Sequence, residues 1–151
     1  MIIPPEAPPQ SEIAASCWKL IFVSWLIAML ATLGSLFFSE IMGLMPCELC
    51  WYQRIFIYPL AVILLIGLHP LDTHVVRYAL PLAVIGLLFT AYHSLLFYGL
   101  IPESLQPCRQ GISCTDDNMI LIGFLPIPLL SLAAFAVITI LLLKVRALAR
   151  S

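Results

Sequence analysis

Charged side chains are scarce in this sequence: Lys and Arg number 7 and Asp and Glu 8 among 151 residues, 10% in all. A soluble domain carries about a quarter charged residues, so a water-facing surface cannot be assembled from this composition. Basic runs are lacking too, and a formal net charge of −1 gives no positive field for nucleic acid. No internal repeat is evident and no segment resembles a folded soluble domain. The first apolar run is not expected to be a cleaved leader. It has no basic stretch at the chain start, exceeds a usual leader core in length and precedes no A-x-A site. What is abundant is apolar: 62% of residues are hydrophobic and mean hydropathy is +1.07. The composition therefore describes an integral membrane protein, solvated largely by lipid.

Four runs are long enough to cross a bilayer, at residues 20–38, 51–68, 79–97 and 120–143, and Arg54 is the single charge within them. A crossing takes about 20 residues at about 1.5 Å each. The predicted fold is all-α, a four-helix transmembrane bundle over residues 20–143. A proline-rich disordered tail is predicted at 1–19 and a basic tail at 144–151. Pro59 predicts a kink in the second helix, Pro81 falls in the first turn of the third, and Pro126 and Pro128 make the start of the fourth irregular. With both termini in the cytoplasm, Lys19, Arg77, Lys144, Arg146 and Arg150 face inward, and only Arg54 and Arg109 face outward. That is the orientation basic residues favour.

The five cysteines divide along this topology. Cys47 and Cys50 lie in the short outer loop, Cys108 and Cys114 in the longer one, and Cys17 alone on the inner side. Four thus face the compartment where disulfides persist. In MPCELCWYQR, Cys47 and Cys50 are about one helical turn apart, which permits a disulfide. A thiolate at Cys50 would sit at a helix N-terminus, favoured by unpaired N–H groups and by Arg54 at i+4. The ring closed by PCRQGISC is short, so a disulfide across it stabilises little and suits thiol–disulfide exchange with an arriving partner.

Other readings exist for each residue. Extracellular cysteines are ordinarily structural staples, which would make the chain a membrane scaffold with two disulfides. The C-x-x-C pair beside Arg54 favours thiolate chemistry instead. Zinc is disfavoured, because structural zinc pairs belong mainly to small soluble domains, and no metal is expected. Cys17 reads as a small buried hydrophobe. His93 is either a helix-end contact or a group that polarises a cofactor carbonyl. Trp18, Trp51, Tyr52, Tyr92 and Tyr98 fit interfacial belts.

PCELCWYQR opening the second helix, a histidine late in the third, the C-x5-C loop of AYHSLLFYGLIPESLQPCRQGISC and the following GFLPIPLLSLAAF together resemble the DsbB family of disulfide-bond formation proteins, in its short BdbC-type branch. The similarity covers residues 20–143. It implies an oxidoreductase that passes electrons from a thioredoxin-like DsbA/BdbD-type thiol oxidase to a membrane quinone, menaquinone or ubiquinone. Carried over by motif position, Cys108 is the sulfur attacked by the partner, and Cys114 passes electrons to Cys47. Cys50 is then the thiolate facing the quinone, with Arg54 and His93 assisting its oxygens. A reductase running electrons outward would need an inner cysteine pair, which Cys17 alone does not provide.

Overall fold

The computed structural model describes residues 10–102, 120–121 and 125–150. Helix α1 runs over Gln10–Leu36, α2 over Glu48–Leu68, α3 over Val76–Phe97 and α4 over Ile127–Leu148. Each is long and apolar enough to cross a membrane, so the fold is the expected four-helix transmembrane bundle. Helix α1 packs on α2 and α4, and α3 packs on the same two, closing a four-membered ring of helices. Leu60, Leu64, Ala83, Ile138 and Leu142 fill its centre and are fully buried. Leu30, Leu33, Val62, Ile66 and Leu88 are exposed on the outside, as expected where the surroundings are acyl chains.

Hydroxyls within the helices are satisfied locally. Ser24 donates to the Leu20 carbonyl at 2.8 Å, Thr32 to Ala28 at 2.8 Å and Thr139 to Phe135 at 2.7 Å. No water is needed to balance these groups at membrane depth.

Helix boundaries differ from the sequence reading in ways with physical causes. Helix α1 starts at Gln10, so part of the expected tail is helical: the last proline of the tail is Pro9, and Ile13 and Cys17 pack on the core. Its end tightens differently, through a π-helical turn at Phe37–Ile41. Helix α2 begins at Glu48, three residues early, and continues through Pro59. Pro81 falls in the second turn of α3, since that helix starts at Val76. Helix α4 starts at Ile127 with Pro126 as its cap, and extends to Leu148 through the basic residues. The residues expected to open it instead form a short antiparallel pair, β1 (Ile120–Leu121) with β2 (Leu125–Pro126), in register Ile120↔Pro126.

Small residues set the helix spacing, as is common in membrane bundles. A Cβ at Gly86 of α3 would collide with the Phe135 ring of α4, whereas one at Gly34 of α1 would meet nothing within 4 Å. Gly86→Ala is expected to destabilise the bundle by about 1–3 kcal/mol through overpacking, and Gly34→Ala to leave it unchanged. Thermal unfolding of the two variants in the same detergent checks this; equal melting temperatures would contradict the packing described.

Candidate functional site

The chain leaves α1 through its π-helical turn, reverses at Gly43 with φ +65°, and re-enters the helical bundle at Cys47. Cys47 is the N-cap of α2, with extended backbone. Its Sγ accepts the free N–H of Cys50 at 3.3 Å. Side-chain capping of this kind normally falls to oxygen; here a sulfur takes the position where helix-terminal N–H groups converge. The two Sγ atoms lie 2.9 Å apart, within hydrogen-bond reach of each other. Cys47 is 2% exposed, against Leu49 and Leu96.

The hydrogen bond from the Cys50 thiol is the largest influence on Cys47 and holds its pKa down to about 5, against burial, which pushes upward; His93 and the Cys50 N–H also lower it. These influences, together with its cap position, favour the anion on Cys47. The sequence reading placed it on Cys50, because it started the helix three residues late; the first free N–H groups point one turn earlier.

His93 reaches this pair from α3 and is fully buried. Its Nε2 lies 3.8 Å from Cys47 Sγ, and its Nδ1 lies 2.9 Å from Nε2 of Gln53, a residue of α2. With the Gln53 amide N–H donating to Nδ1, the ring proton belongs on Nε2, directed at the Cys47 sulfur. Gln53 was missed in the sequence. The signal for it was a polar residue three positions after Cys50 on an otherwise apolar helical face.

On the other side of Cys50 a cavity of about 750 Å3 opens between α1, α2 and α4. Its walls are apolar, with Ile27, Leu30, Leu130 and Phe135 among them, and the polar side chains Cys50, Gln53 and Arg54 face it together on α2. Arg54 does not sit on the Cys50 sulfur. Its Nη2 donates to the Ser35 carbonyl at 2.8 Å, which also accepts the Ser39 hydroxyl at 3.3 Å, where α1 passes into its π-helical turn. Its guanidinium carbon lies 5.4 Å from the Trp51 ring centre. His93 does not line the cavity; it is behind the cysteine pair. Cys108 and Cys114 lie outside the described residues, and Cys17 is buried in the bundle core, away from the pair.

The ligand atoms of Cys47, Cys50 and His93 lie within 4.8 Å of one another, the spread of a small metal site. The sulfurs, however, are closer than the roughly 3.8 Å that tetrahedral zinc with bonds of about 2.3 Å imposes. The pair is spaced for chemistry between its own sulfurs.

A pH titration tests where the anion rests. In reduced protein carrying Cys17→Ser, Cys108→Ser and Cys114→Ser, thiolate absorbance near 240 nm is expected to rise with a midpoint near pH 5, and Gln53→Leu to move that midpoint upward. A single rise near the ordinary thiol value of about 8.5 would contradict the arrangement. Because the folded value lies below that of a free thiol, the thiolate contributes stability above the free-thiol range, and that contribution is lost as pH falls through about 5.

Comparison with known proteins shows the family. The profile of the family described as "Disulfide bond formation protein DsbB" matches residues 16–145. A "Probable disulfide formation protein" of Metapseudomonas resinovorans is 49% identical over 130 residues, covering 85% of this chain and 90% of the relative. The "Disulfide bond formation protein C" of Bacillus subtilis (strain 168) is 44% identical over 122 residues, covering 80% and 87%. A "Probable disulfide formation protein" of Deinococcus radiodurans is 44% identical over 131 residues, covering 81% and 85%. No solved structure matches the chain significantly. Matched from the second turn of α1 to the last turn of α4, this multi-pass membrane protein belongs to the DsbB family of disulfide bond formation proteins.

Proposed function

We propose that the protein reoxidises an extracytoplasmic thioredoxin-like thiol oxidase and passes the two electrons to a membrane quinone, with Cys47, Cys50, Cys108 and Cys114 as the relay. The observation that carries this reading is that Cys50 lines an apolar cavity while its sulfur touches that of Cys47. The volume of about 750 Å3 falls within the range for small-molecule sites, roughly 300–1,000 Å3. Cys50, Gln53 and Arg54 on one wall of a mainly apolar cavity, which Ser35 and Ser131 also line, suit a flat, lipid-soluble ring bearing two oxygens.

The chain's residues then divide the work. The reduced partner's thiolate attacks Cys108 Sγ and releases Cys114, and the partner's second thiol closes the partner's disulfide. The Cys108–Cys114 dithiol next reduces the Cys47–Cys50 disulfide, so two electrons and two protons move inward without net loss. In the reduced pair Cys47 holds the anion and Cys50 keeps its proton at the cavity wall. Cys47 is thus placed to close the bond onto Cys50. His93, oriented by Gln53, stabilises the Cys47 anion through its Nε2–H, a positioning role rather than the contact with quinone oxygens expected from resemblance. Arg54, anchored on Ser35, presents a fixed positive charge to the cavity. A quinone bound there supplies the two-electron, two-proton acceptor, menaquinone or ubiquinone. Both termini are assigned to the cytoplasm and the cysteine pairs to the outer face, from the distribution of basic residues.

The test is anaerobic: purified protein, a reduced thioredoxin-like oxidase and a soluble quinone, with quinol followed optically. Catalytic quinol formation matched one-to-one by partner disulfide is expected. No quinol above the protein-free control would overturn the assignment.

A further inference from the structure

We propose that the bundle end opposite the cysteine pair carries a binding site for one anionic phospholipid, its phosphate held by Arg77, Arg146 and Arg150. This rests on the membrane-spanning fold and on a second cavity, and is independent of the redox reading. The cavity, about 760 Å3, lies between the start of α3 and the last turns of α4. Three of the chain's 7 basic residues converge on it from two helices. Arg146 comes from the last turn of α4, Arg150 from the turn just beyond it, and Arg77 from the start of α3.

Among the described residues, no acidic side chain lines the cavity to neutralise them. The nearest in sequence, Asp72, accepts the His74 N–H at 2.8 Å as the cap of the turn leading into α3. That turn directs the amino end of α3 to the same place, adding the positive pole of a helix dipole. Like charges gathered without a counter-charge repel one another, and an anion between them removes the repulsion.

The rest of the cavity identifies the kind of anion. Its α3 wall continues inward from Arg77 through Leu80 to Val84 and Ile85, about 10–12 Å along the helix at about 1.5 Å per residue. Val84 and Ile85 are 38% and 41% exposed, on the surface that meets lipid. A basic rim above an apolar wall open to the bilayer matches a headgroup phosphate above its acyl chains. Basic pockets between transmembrane helices recognise anionic headgroups in this way. A free phosphate would have no use for the apolar wall.

The test is a lipid titration of the purified full chain in neutral detergent, read by native mass spectrometry with dioleoyl phosphatidylglycerol and dioleoyl phosphatidylcholine. One phosphatidylglycerol is expected to be retained per chain in preference to phosphatidylcholine. Arg77→Gln with Arg146→Gln is expected to weaken that retention by about thirty-fold, at the usual contribution of a basic residue near an anionic surface. Lys19→Gln with Lys144→Gln, the same change in charge outside the cavity, is expected to leave it intact. Both pairs of residues are on exposed positions, and thermal unfolding without lipid confirms that each variant is folded. Equal losses in the two double variants would reduce the site to diffuse surface charge and overturn the proposal. So would equal retention of phosphatidylcholine, or displacement of the lipid by millimolar inorganic phosphate.

Discussion

Replacing Cys47 or Cys50 with serine is expected to lower oxidation of the reduced partner to background, a loss on the order of a thousandfold or more, as when a unit of interdependent catalytic groups is broken. The reason is stoichiometric. A two-electron transfer that starts and ends in disulfides needs both sulfurs, and a serine oxygen cannot join that cycle. The sulfurs at 2.9 Å act as one unit, so the double variant is expected to be no worse than either single one. Cys17→Ser, by contrast, replaces a thiol in the bundle core, and is expected to leave turnover unchanged. Steady-state rates in membranes measure all four. A single variant of the pair that retains most of its turnover would remove that sulfur from the relay, and a scaffold with structural disulfides would show no turnover to lose.

Filling the cavity is expected to separate acceptor use from thiol exchange. Gly34 lines it from α1, and a side chain built there meets nothing within 4 Å. Gly34→Leu therefore extends into empty space, with a better helix former in place of glycine. It should not disturb the Cys47–Cys50 pair. About a ten- to hundredfold fall in kcat/KM for quinone is expected, corresponding to about 1.4–2.8 kcal/mol of lost binding. Reduction of the Cys47–Cys50 disulfide by a small dithiol should stay within about twofold of the parent. Quinone kinetics of Gly34→Leu indistinguishable from the parent would show that the acceptor sits elsewhere. A parallel loss in dithiol reduction would show that the substitution acts on the pair and not on the cavity.

Much of this architecture was legible in the chain because lipid imposes simple demands. Long apolar runs with at most one charge identified the four spans, and the C-x-x-C pair beside one of them marked the end of the bundle that holds Cys47 and Cys50. The C-x-x-C spacing and the arginine four residues later, combined with the C-x5-C loop and the four spans, were enough to recognise the family. What stayed hidden depends on where helices begin and on what lies across from them. Starting α2 at Glu48 rather than Trp51 makes Cys47 the cap and moves the favoured anion from Cys50 to Cys47. Gln53 acquires its role only when α3 brings His93 to 2.9 Å, forty residues away in the chain. Arg54 looked like a partner for the neighbouring thiolate, since i+4 spacing says so, yet its guanidinium also reaches across to donate to the Ser35 carbonyl of α1. The cavity needs walls from three helices, and hydropathy carries no information about gaps between them. The start of α4 was ambiguous for a local reason, because Pro126 and Pro128 fit both a loop and a first helical turn.

The central claim is that the Cys47–Cys50 pair, without the outer pair, gives its electrons to an acceptor dissolved in the membrane. Its most direct test is a single turnover under anaerobic conditions, in which reduced protein carrying Cys108→Ser and Cys114→Ser is mixed with excess quinone and quenched with acid. One quinol and one Cys47–Cys50 disulfide per chain are predicted, with none from the same protein bearing Cys50→Ser. Thiols that remain reduced while quinone is unchanged, or equal quinol from the Cys50→Ser protein, would contradict the account.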